Sequence, residues 1–195
     1  MSETERVARA AEPLSKLVRT ITPDLLDAPT PCTDFDVRAL LNHLLFWGPS
    51  LTGAARKQAI TPPASTESAV DLTAGDWTAT LDTHLDDLAT AWRDPAAWQG
   101  NTRMGGPTEL PAALVGGMVV GELIVHGWDL ARAVGATLHW DDDLLRYAHT
   151  ETAATASQGR DMGIYGPEIP VSPDAPLLDR LLGLTGRDPA WTSAG

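Results

Sequence analysis

The chain has 195 residues, a formal net charge of −12 and 43% hydrophobic residues. This length is sufficient for a hydrophobic core, and we expect residues 1–195 to form a single domain. The acidic charge argues against nucleic acid or an anionic membrane surface as a partner, because both require basic patches on a protein. Cys32 is the only cysteine. An intrachain disulfide is therefore excluded, which suits a reducing compartment.

The N-terminal segment MSETERVARAAEPL is polar and amphipathic, without the basic and apolar regions of a signal peptide. No apolar stretch reaches the roughly 18 residues that a membrane span requires. We therefore expect a cytoplasmic protein with no membrane partner.

Apolar side chains recur at helical spacing through most of the chain. This periodicity predicts long helices over residues 3–21, 36–56, 72–93, 108–134 and 141–157, and a short one over 177–184. Asp36 is the expected N-cap of the second helix. Thr108 is the expected N-cap of the fourth, with Pro111 in its first turn, where proline is tolerated.

Segments rich in proline and glycine, including residues 94–107 and 159–176, separate the predicted helices, and no alternating pattern is long enough to require a sheet. The fold class predicted is therefore all-α. We expect a four-helix bundle with a crossing connection and a short C-terminal helical extension.

Glu122 and His126 lie one turn apart in the apolar segment GMVVGELIVHGWDLARAVG of the predicted fourth helix. Positions four apart on a helix project about 40° from each other, so the two side chains share a face. Apolar residues on that face direct it towards the core (Val115, Met118, Val119 and Ala133). Burying a carboxylate and an imidazole there costs several kcal/mol unless a partner compensates. A divalent metal ion is one such partner.

His43, on the flank of the apolar stripe of the second helix, is the best candidate for a third ligand. A set of two histidines and one glutamate leaves a coordination position for water or substrate, as in catalytic sites. The pattern leaves a second interpretation open. His43 and His126 are then core histidines satisfied by hydrogen bonds, with Glu122 as the partner of one of them.

Two further residues lie near this predicted cluster. Asp129 projects within about 20° of Glu122 on the same helix. It can orient a metal-bound histidine, or it can serve as a cap or as the partner of an arginine. His84 falls on the apolar stripe of the third helix, and we expect a hydrogen-bonded core histidine there rather than a ligand.

The remaining candidates lie outside the long helices. Cys32 precedes the second helix, where a small buried side chain is expected rather than a nucleophile. The loop over residues 159–170 can cover the mouth of the site, with Arg160 and Tyr165 as candidate substrate contacts. His139 and His149 are expected on or near the surface, and Trp77, Trp92, Trp98 and Trp128 are expected to be packing residues.

The segments TPCTDFDVRALLNHLLFWG and GELIVHGWDLARAVG resemble the two signature segments of the DinB-like metal-binding bundles. More narrowly, they resemble the branch typified by the N-terminal domain of mycothiol-dependent maleylpyruvate isomerase, whose members read P-C-x-x-W-x-V-x-x-L-x-x-H and E-x-x-x-H-x-W-D-L-A. The matching residues are Pro31, Cys32, Val37, Leu40 and His43 in the first segment, and Glu122, His126, Trp128, Asp129, Leu130 and Ala131 in the second. The tail DAPLLDRLLGLTGRDPAW resembles the ending of a stand-alone actinobacterial branch of this family.

The resemblance implies a four-helix bundle with a divalent metal ion, usually zinc, held by residues matching His43, Glu122 and His126. Phe35 stands where the family usually has tryptophan, and it preserves an apolar side chain. The isomerase carries an additional C-terminal domain that contributes to its active site, and this chain is expected to be too short to match it. The resemblance therefore does not extend to that particular isomerisation.

Two function classes follow from these features. The first is a metal-dependent thiol transferase or isomerase acting on a small electrophilic metabolite, because a metal with an open position activates a bound water or thiol. In the resembled family the activated group is often a low-molecular-weight thiol such as mycothiol. The second is a non-catalytic metal-containing binding or sensor protein. A homodimer is compatible with both classes.

Overall fold

The computed structural model describes residues 2–193 and contains six α-helices. Their bounds are α1 Arg6–Val18, α2 Val37–Ala55, α3 Trp77–Ala91, α4 Ala112–Ala133, α5 Asp142–Asp161 and α6 Leu177–Leu184. Short 3-10 turns lie at Glu3–Glu5, Pro23–Leu25, Glu67–Ala69 and Pro95–Trp98. The strands β1 (Asn101–Thr102) and β2 (Leu110–Pro111) form one small antiparallel sheet.

Helices α1 to α4 form a four-helix bundle in which neighbours in space are not always neighbours in sequence. Helix α1 packs against α3 and α4, and α2 packs against the same two helices. The connections from α1 to α2 and from α3 to α4 therefore run between diagonally placed helices. Helix α5 packs on the outside of α4, and α6 packs on α5. The predicted bundle, its crossing connections and its C-terminal helical extension are thus confirmed.

Side-chain caps fix the starts of three helices. The carboxylates of Asp36, Asp76 and Asp141 accept hydrogen bonds from backbone N–H groups in the first turns of α2, α3 and α5. Each satisfies a donor that has no partner within its helix. At the other end of α4, Gly135 adopts a φ of 72°, a left-handed conformation that ends the helix without a Cβ penalty.

Several predicted boundaries were wrong, most clearly the start of α4. The helix begins at Ala112, four residues after Thr108, and Pro111 is its N-cap residue. The reason is that Leu110–Pro111 pairs with Asn101–Thr102 as the β1–β2 hairpin, which holds the preceding backbone extended. Helices α1 and α3 are shorter than predicted, and α5 continues to Asp161.

Helix α4 is the central helix of the core. By length and composition it could cross a membrane, so the expectation that no apolar stretch is long enough was wrong. However, 78% of its most apolar window is buried inside the protein. The apolar residues of α4 are therefore used to pack against α1, α2 and α5.

The tryptophans predicted to be packing residues are all buried in this core (Trp77, Trp92, Trp98 and Trp128). Two of them stack edge to face, with the ring centroids of Trp92 and Trp98 5.0 Å apart. The indole N–H of Trp98 donates to the backbone carbonyl of Trp92 at 2.8 Å, which satisfies the polar atom of a buried ring.

Candidate metal centre

Glu122 and His126 project from one face of α4, and His43 projects from α2 to meet them. One donor atom from each of the three side chains lies within 4.8 Å of the other two. The Nε2 atom of His43 is 2.8 Å from Oε1 of Glu122, and Nε2 of His126 is 3.6 Å from the same oxygen. The two histidines therefore present the same ring nitrogen to one carboxylate oxygen.

The other ring nitrogen of each histidine contacts a second carboxylate. Nδ1 of His126 is 3.0 Å from Oδ2 of Asp129, and Nδ1 of His43 is 2.8 Å from Oε2 of Glu67. Carboxylates that bind the far nitrogen of an imidazole fix its orientation and direct Nε2 to a ligand, as in many metal sites. Glu67 lies in the 3-10 turn between α2 and α3 and was not predicted to take part.

Asp129 contacts both a candidate ligand and an arginine. Its side chain is fully buried, and Oδ2 accepts hydrogen bonds from Nε and Nη2 of Arg187 at 3.4 and 3.2 Å as well as contacting His126. Arg187 lies beyond α6 and also donates to the backbone carbonyl of Thr185. The second carboxylate oxygen of Asp129 has no hydrogen-bond partner among the described residues.

These contacts shift the pKa values of the cluster in opposite directions. Burial lowers the pKa of His43, but hydrogen bonds and the negative charges of Glu122 and Glu67 outweigh burial and raise it to about 9. Burial raises the pKa of Glu122, but the positive charge of His126 and the hydrogen bond from His43 outweigh it and lower the pKa to about 2. Without a metal ion, His43 is therefore a cation held between two carboxylates.

The residues of this cluster fit a divalent cation. Two imidazole nitrogens and one carboxylate oxygen are donors that zinc and similar ions accept. The carboxylates of Glu67, Glu122 and Asp129 outnumber the single guanidinium of Arg187, so with neutral imidazoles the cluster is negatively charged. A cation would compensate this charge. Phe35 adds an apolar wall, with its ring centroid 5.3 Å from that of His43.

His84 lies apart from this cluster. It lines a cavity of about 10 Å³ between α2, α3 and α4 that Glu122 also borders. Its buried Nδ1 atom has no hydrogen-bond partner among the described residues, so it is not the hydrogen-bonded core histidine that we expected. Burial lowers the pKa of His84 and favours a neutral ring.

Of the two candidate substrate contacts in residues 159–170, Tyr165 faces a pocket and Arg160 is engaged elsewhere. Tyr165 packs on Gly159 and faces both an apolar pocket beside α4 and a smaller cavity that Cys32 and Arg187 border. Arg160 instead donates to the backbone carbonyl of Leu184 and pairs with Glu168 at 3.5 Å, so it joins α5 to the C-terminal segment.

The expectation for Cys32 is met only in part. Its side chain is half-buried rather than buried, and burial raises the pKa of its thiol, which disfavours the thiolate. His139 is exposed and His149 is partly exposed.

An apolar pocket of about 350 Å³ lies between α4, α5, the β1–β2 hairpin and the loop after α5. Its volume is that of a pocket for a small molecule. Leu114 and Met118 form its floor and precede Glu122 on α4 by two turns and one turn. The pocket therefore borders the half of α4 that precedes Glu122.

The fold and this cluster define a helical bundle with a candidate metal centre between its second and fourth helices. Residues 7–131 match the family of the mycothiol maleylpyruvate isomerase N-terminal domain. The chain belongs to this family, and the match contains all three candidate ligands.

Two curated relatives are the uncharacterized proteins MT0763 and Rv0738 of two Mycobacterium tuberculosis strains. Each is 27% identical over 186 residues, which cover 92% of this chain and 94% of the relative. The similarity therefore extends over nearly the whole chain.

Two solved structures share the fold. A crystal structure of the mycothiol-dependent maleylpyruvate isomerase aligns with a TM-score of 0.65 and 16% identity, covering 97% of this chain and 91% of the isomerase chain. A histidine-to-alanine mutant of that enzyme aligns with a TM-score of 0.62 and 18% identity, covering 82% and 73%. The expectation that this chain is too short to match the isomerase beyond its N-terminal domain was therefore wrong for the fold.

Proposed function

We propose that this protein is a cytoplasmic, zinc-dependent thiol transferase or isomerase in which His43, Glu122 and His126 hold the metal ion. The observation that carries the proposal is the convergence of the two Nε2 atoms on Oε1 of Glu122. Two core histidines that only need hydrogen bonds would not both have to direct Nε2 at the same carboxylate oxygen. Family membership supports the same interpretation, because the named member of the family is an isomerase that depends on mycothiol.

When bound, a divalent ion lowers the pKa of a coordinated thiol or water and so supplies a nucleophile near neutral pH. The protein's own residues prepare the position. Asp129 and Glu67 hold the two imidazoles in the orientation that directs Nε2 inward. Phe35 limits the access of water beside His43, which strengthens electrostatic interactions in the site.

The reacting partners follow from the same site. A low-molecular-weight thiol such as mycothiol is the proposed co-substrate, because the family's namesake uses it. A small electrophile is the proposed substrate, because the pocket beside the cluster has the volume of a small molecule.

One observation favours a second candidate, a non-catalytic metal-containing binding or sensor protein. Asp129, the charged neighbour that could act on a substrate, is fully buried and already contacts His126 and Arg187. Its position suits holding the site together better than proton transfer.

Elemental analysis of purified protein tests the metal proposal. We expect about one divalent ion per chain in the wild type, and much less in His126→Ala, because a ligand is lost. His139→Ala removes an exposed histidine and is the matched control, expected to keep the metal. Equal metal content in all three proteins would reject the site.

Product formation separates the two function classes. The metal-loaded protein is mixed with a thiol and small electrophiles, and products are followed by mass spectrometry. A thioether or isomerised product that is absent with His126→Ala supports the enzyme. Metal binding without any product would support the binding or sensor protein.

A further inference from the structure

The lining of the apolar pocket beside α4 indicates which charge and polarity a bound substrate has. Leu114 and Met118 are half-buried although most of α4 is buried, because their side chains face this pocket. Both lie on the helix face of Glu122, at a spacing of four residues. Tyr165 lies at the pocket's end near the cluster, and Glu122 is close enough to contribute, after burial, to raising its pKa. The pocket therefore lies beside α4, one to two turns before Glu122, and none of the three candidate ligands lines it.

No charged side chain lines this pocket among residues 2–193. Arg103 and Arg160 adjoin pocket residues in sequence, but both are engaged elsewhere. Arg103 pairs with Glu109 at 2.7 Å, and Arg160 bonds to the backbone of Leu184 and to Glu168. An anionic group in the pocket would thus lose its hydration without gaining a cation from the lining, so the pocket disfavours anions.

The mouth of the pocket is also apolar. Met162 and Ile164 line it and are the large hydrophobic residues most exposed among the described ones, at 66% and 51%. Single exposed apolar residues are ordinary, but two at the rim of one apolar cavity extend its binding surface to solvent. A ligand that filled the cavity would cover them.

We propose that this pocket binds the neutral, apolar part of the electrophilic substrate, so that the substrate is an uncharged hydrophobic molecule and not a dicarboxylate. This inference rests on the proposed function for the position of the reacting group. Such a substrate would differ from maleylpyruvate, for which the structural neighbours are named. The uncharged lining of the pocket supports this inference, and the candidate ligands play no part in it.

Binding of a neutral fluorescent probe, N-phenyl-1-naphthylamine, tests the pocket independently of metal and turnover. We expect the wild type to bind it, and Leu114→Arg to bind at least about tenfold more weakly, because the guanidinium occupies the pocket's floor. Ala113→Arg is the matched control: it adds the same charge to α4 at an exposed position beside Leu114 and should bind like the wild type. Circular dichroism establishes that the variants are folded.

Competition with a matched pair of electrophiles tests the charge. Methyl cinnamate and cinnamate share one skeleton, but only the second is an anion. We expect the ester to displace the probe at concentrations at least about tenfold lower than the acid, and Leu114→Arg to reverse or abolish this preference. A wild type that prefers cinnamate, or a Leu114→Arg variant that binds the probe as the wild type does, would overturn the proposal.

The outcomes keep this inference apart from the proposed function. Absence of metal from purified protein, with the ester still preferred, would reject the metal-dependent reaction and leave the pocket's selectivity established. Full metal content with no preference for the ester would reject the pocket's selectivity and leave the metal-dependent reaction standing.

Discussion

Arg187 donates two hydrogen bonds to Oδ2 of Asp129, the same oxygen that lies 3.0 Å from Nδ1 of His126. The arginine and the aspartate are 58 residues apart in the chain. A segment beyond the last helix therefore holds the carboxylate that orients a candidate ligand. The C-terminal segment is thus part of the candidate site.

We predict that Asp129→Asn weakens zinc binding by roughly 10- to 100-fold, because the amide holds the imidazole of His126 less firmly. It should also destabilise the protein by about 3–5 kcal/mol, since Arg187 would remain buried without its anion. Zinc titration against a chelator and urea denaturation measure the two effects. The double variant with Arg187→Met should recover part of the lost stability, and strictly additive losses would contradict the coupling.

Glu122→Gln tests whether Glu122 is a metal ligand or a general base. An amide is a poor ligand for zinc and cannot accept a proton as a base, so a ligand role predicts that metal affinity and activity fall together. Glu67→Gln is the control, because Glu67 contacts His43 at the nitrogen that faces away from the cluster, and a smaller loss is expected. Wild-type metal affinity in Glu122→Gln would assign Glu122 to another role.

The metal-free protein should lose stability as the pH rises above neutrality. The pKa of His43 is raised from 6.5 to about 9, so the native state binds more protons than the unfolded state between these values. The stabilisation is complete below about pH 6.5 and is lost as the pH rises through about 9. The pKa of Glu122 is lowered from 4.5 to about 2, so its contribution is lost as the pH falls through that range.

Urea denaturation with a chelator at about pH 5.5 and about pH 9 checks this prediction. The wild type should have the lower midpoint at the higher pH. His43→Gln removes the titrating group and should show a smaller difference between the two conditions. A wild type that becomes more stable at the higher pH would contradict the assigned ion pair.

Two buried glycines of α4 should respond oppositely to substitution by alanine. A Cβ at Gly116 would overlap the indole of Trp98, and we expect Gly116→Ala to destabilise the protein by about 1–3 kcal/mol. A Cβ at Gly121 would meet only the hydroxyl of Thr152 at 3.6 Å. Gly121→Ala should therefore be neutral or stabilising by up to about 1 kcal/mol, because alanine favours the helix. Thermal unfolding compares the pair, and equal losses would refute the packing argument.

The sequence predicted the parts of this structure that depend on helical periodicity. The helices follow the apolar stripes, and His43, Glu122 and His126 meet because each lies on or beside a stripe that faces the bundle interior. That these residues bind a metal ion stays a prediction. The start of α4 was wrong because the pairing of Leu110–Pro111 with Asn101–Thr102 joins two short segments without an alternating pattern.

Glu67 and Arg187 could not be predicted as members of this cluster. Glu67 lies in a 3-10 turn and Arg187 lies beyond α6, where no periodic pattern fixes the direction of a side chain. Their contacts with His43 and Asp129 arise only after the helices have packed. A buried histidine or carboxylate requires a hydrogen-bond partner, so the sequence indicates that partners exist but not which residues they are.

The long separation of His43 and Glu122, 79 residues along the chain, has a consequence for protein synthesis. A ribosome adds roughly 5–20 residues per second, so several seconds pass between the appearance of the histidine and that of its partner. Arg187 follows Asp129 by 58 more residues and is therefore synthesised seconds later. A nascent chain consequently offers isolated imidazoles before the cluster is assembled, and any choice between competing ions is left to the folded molecule.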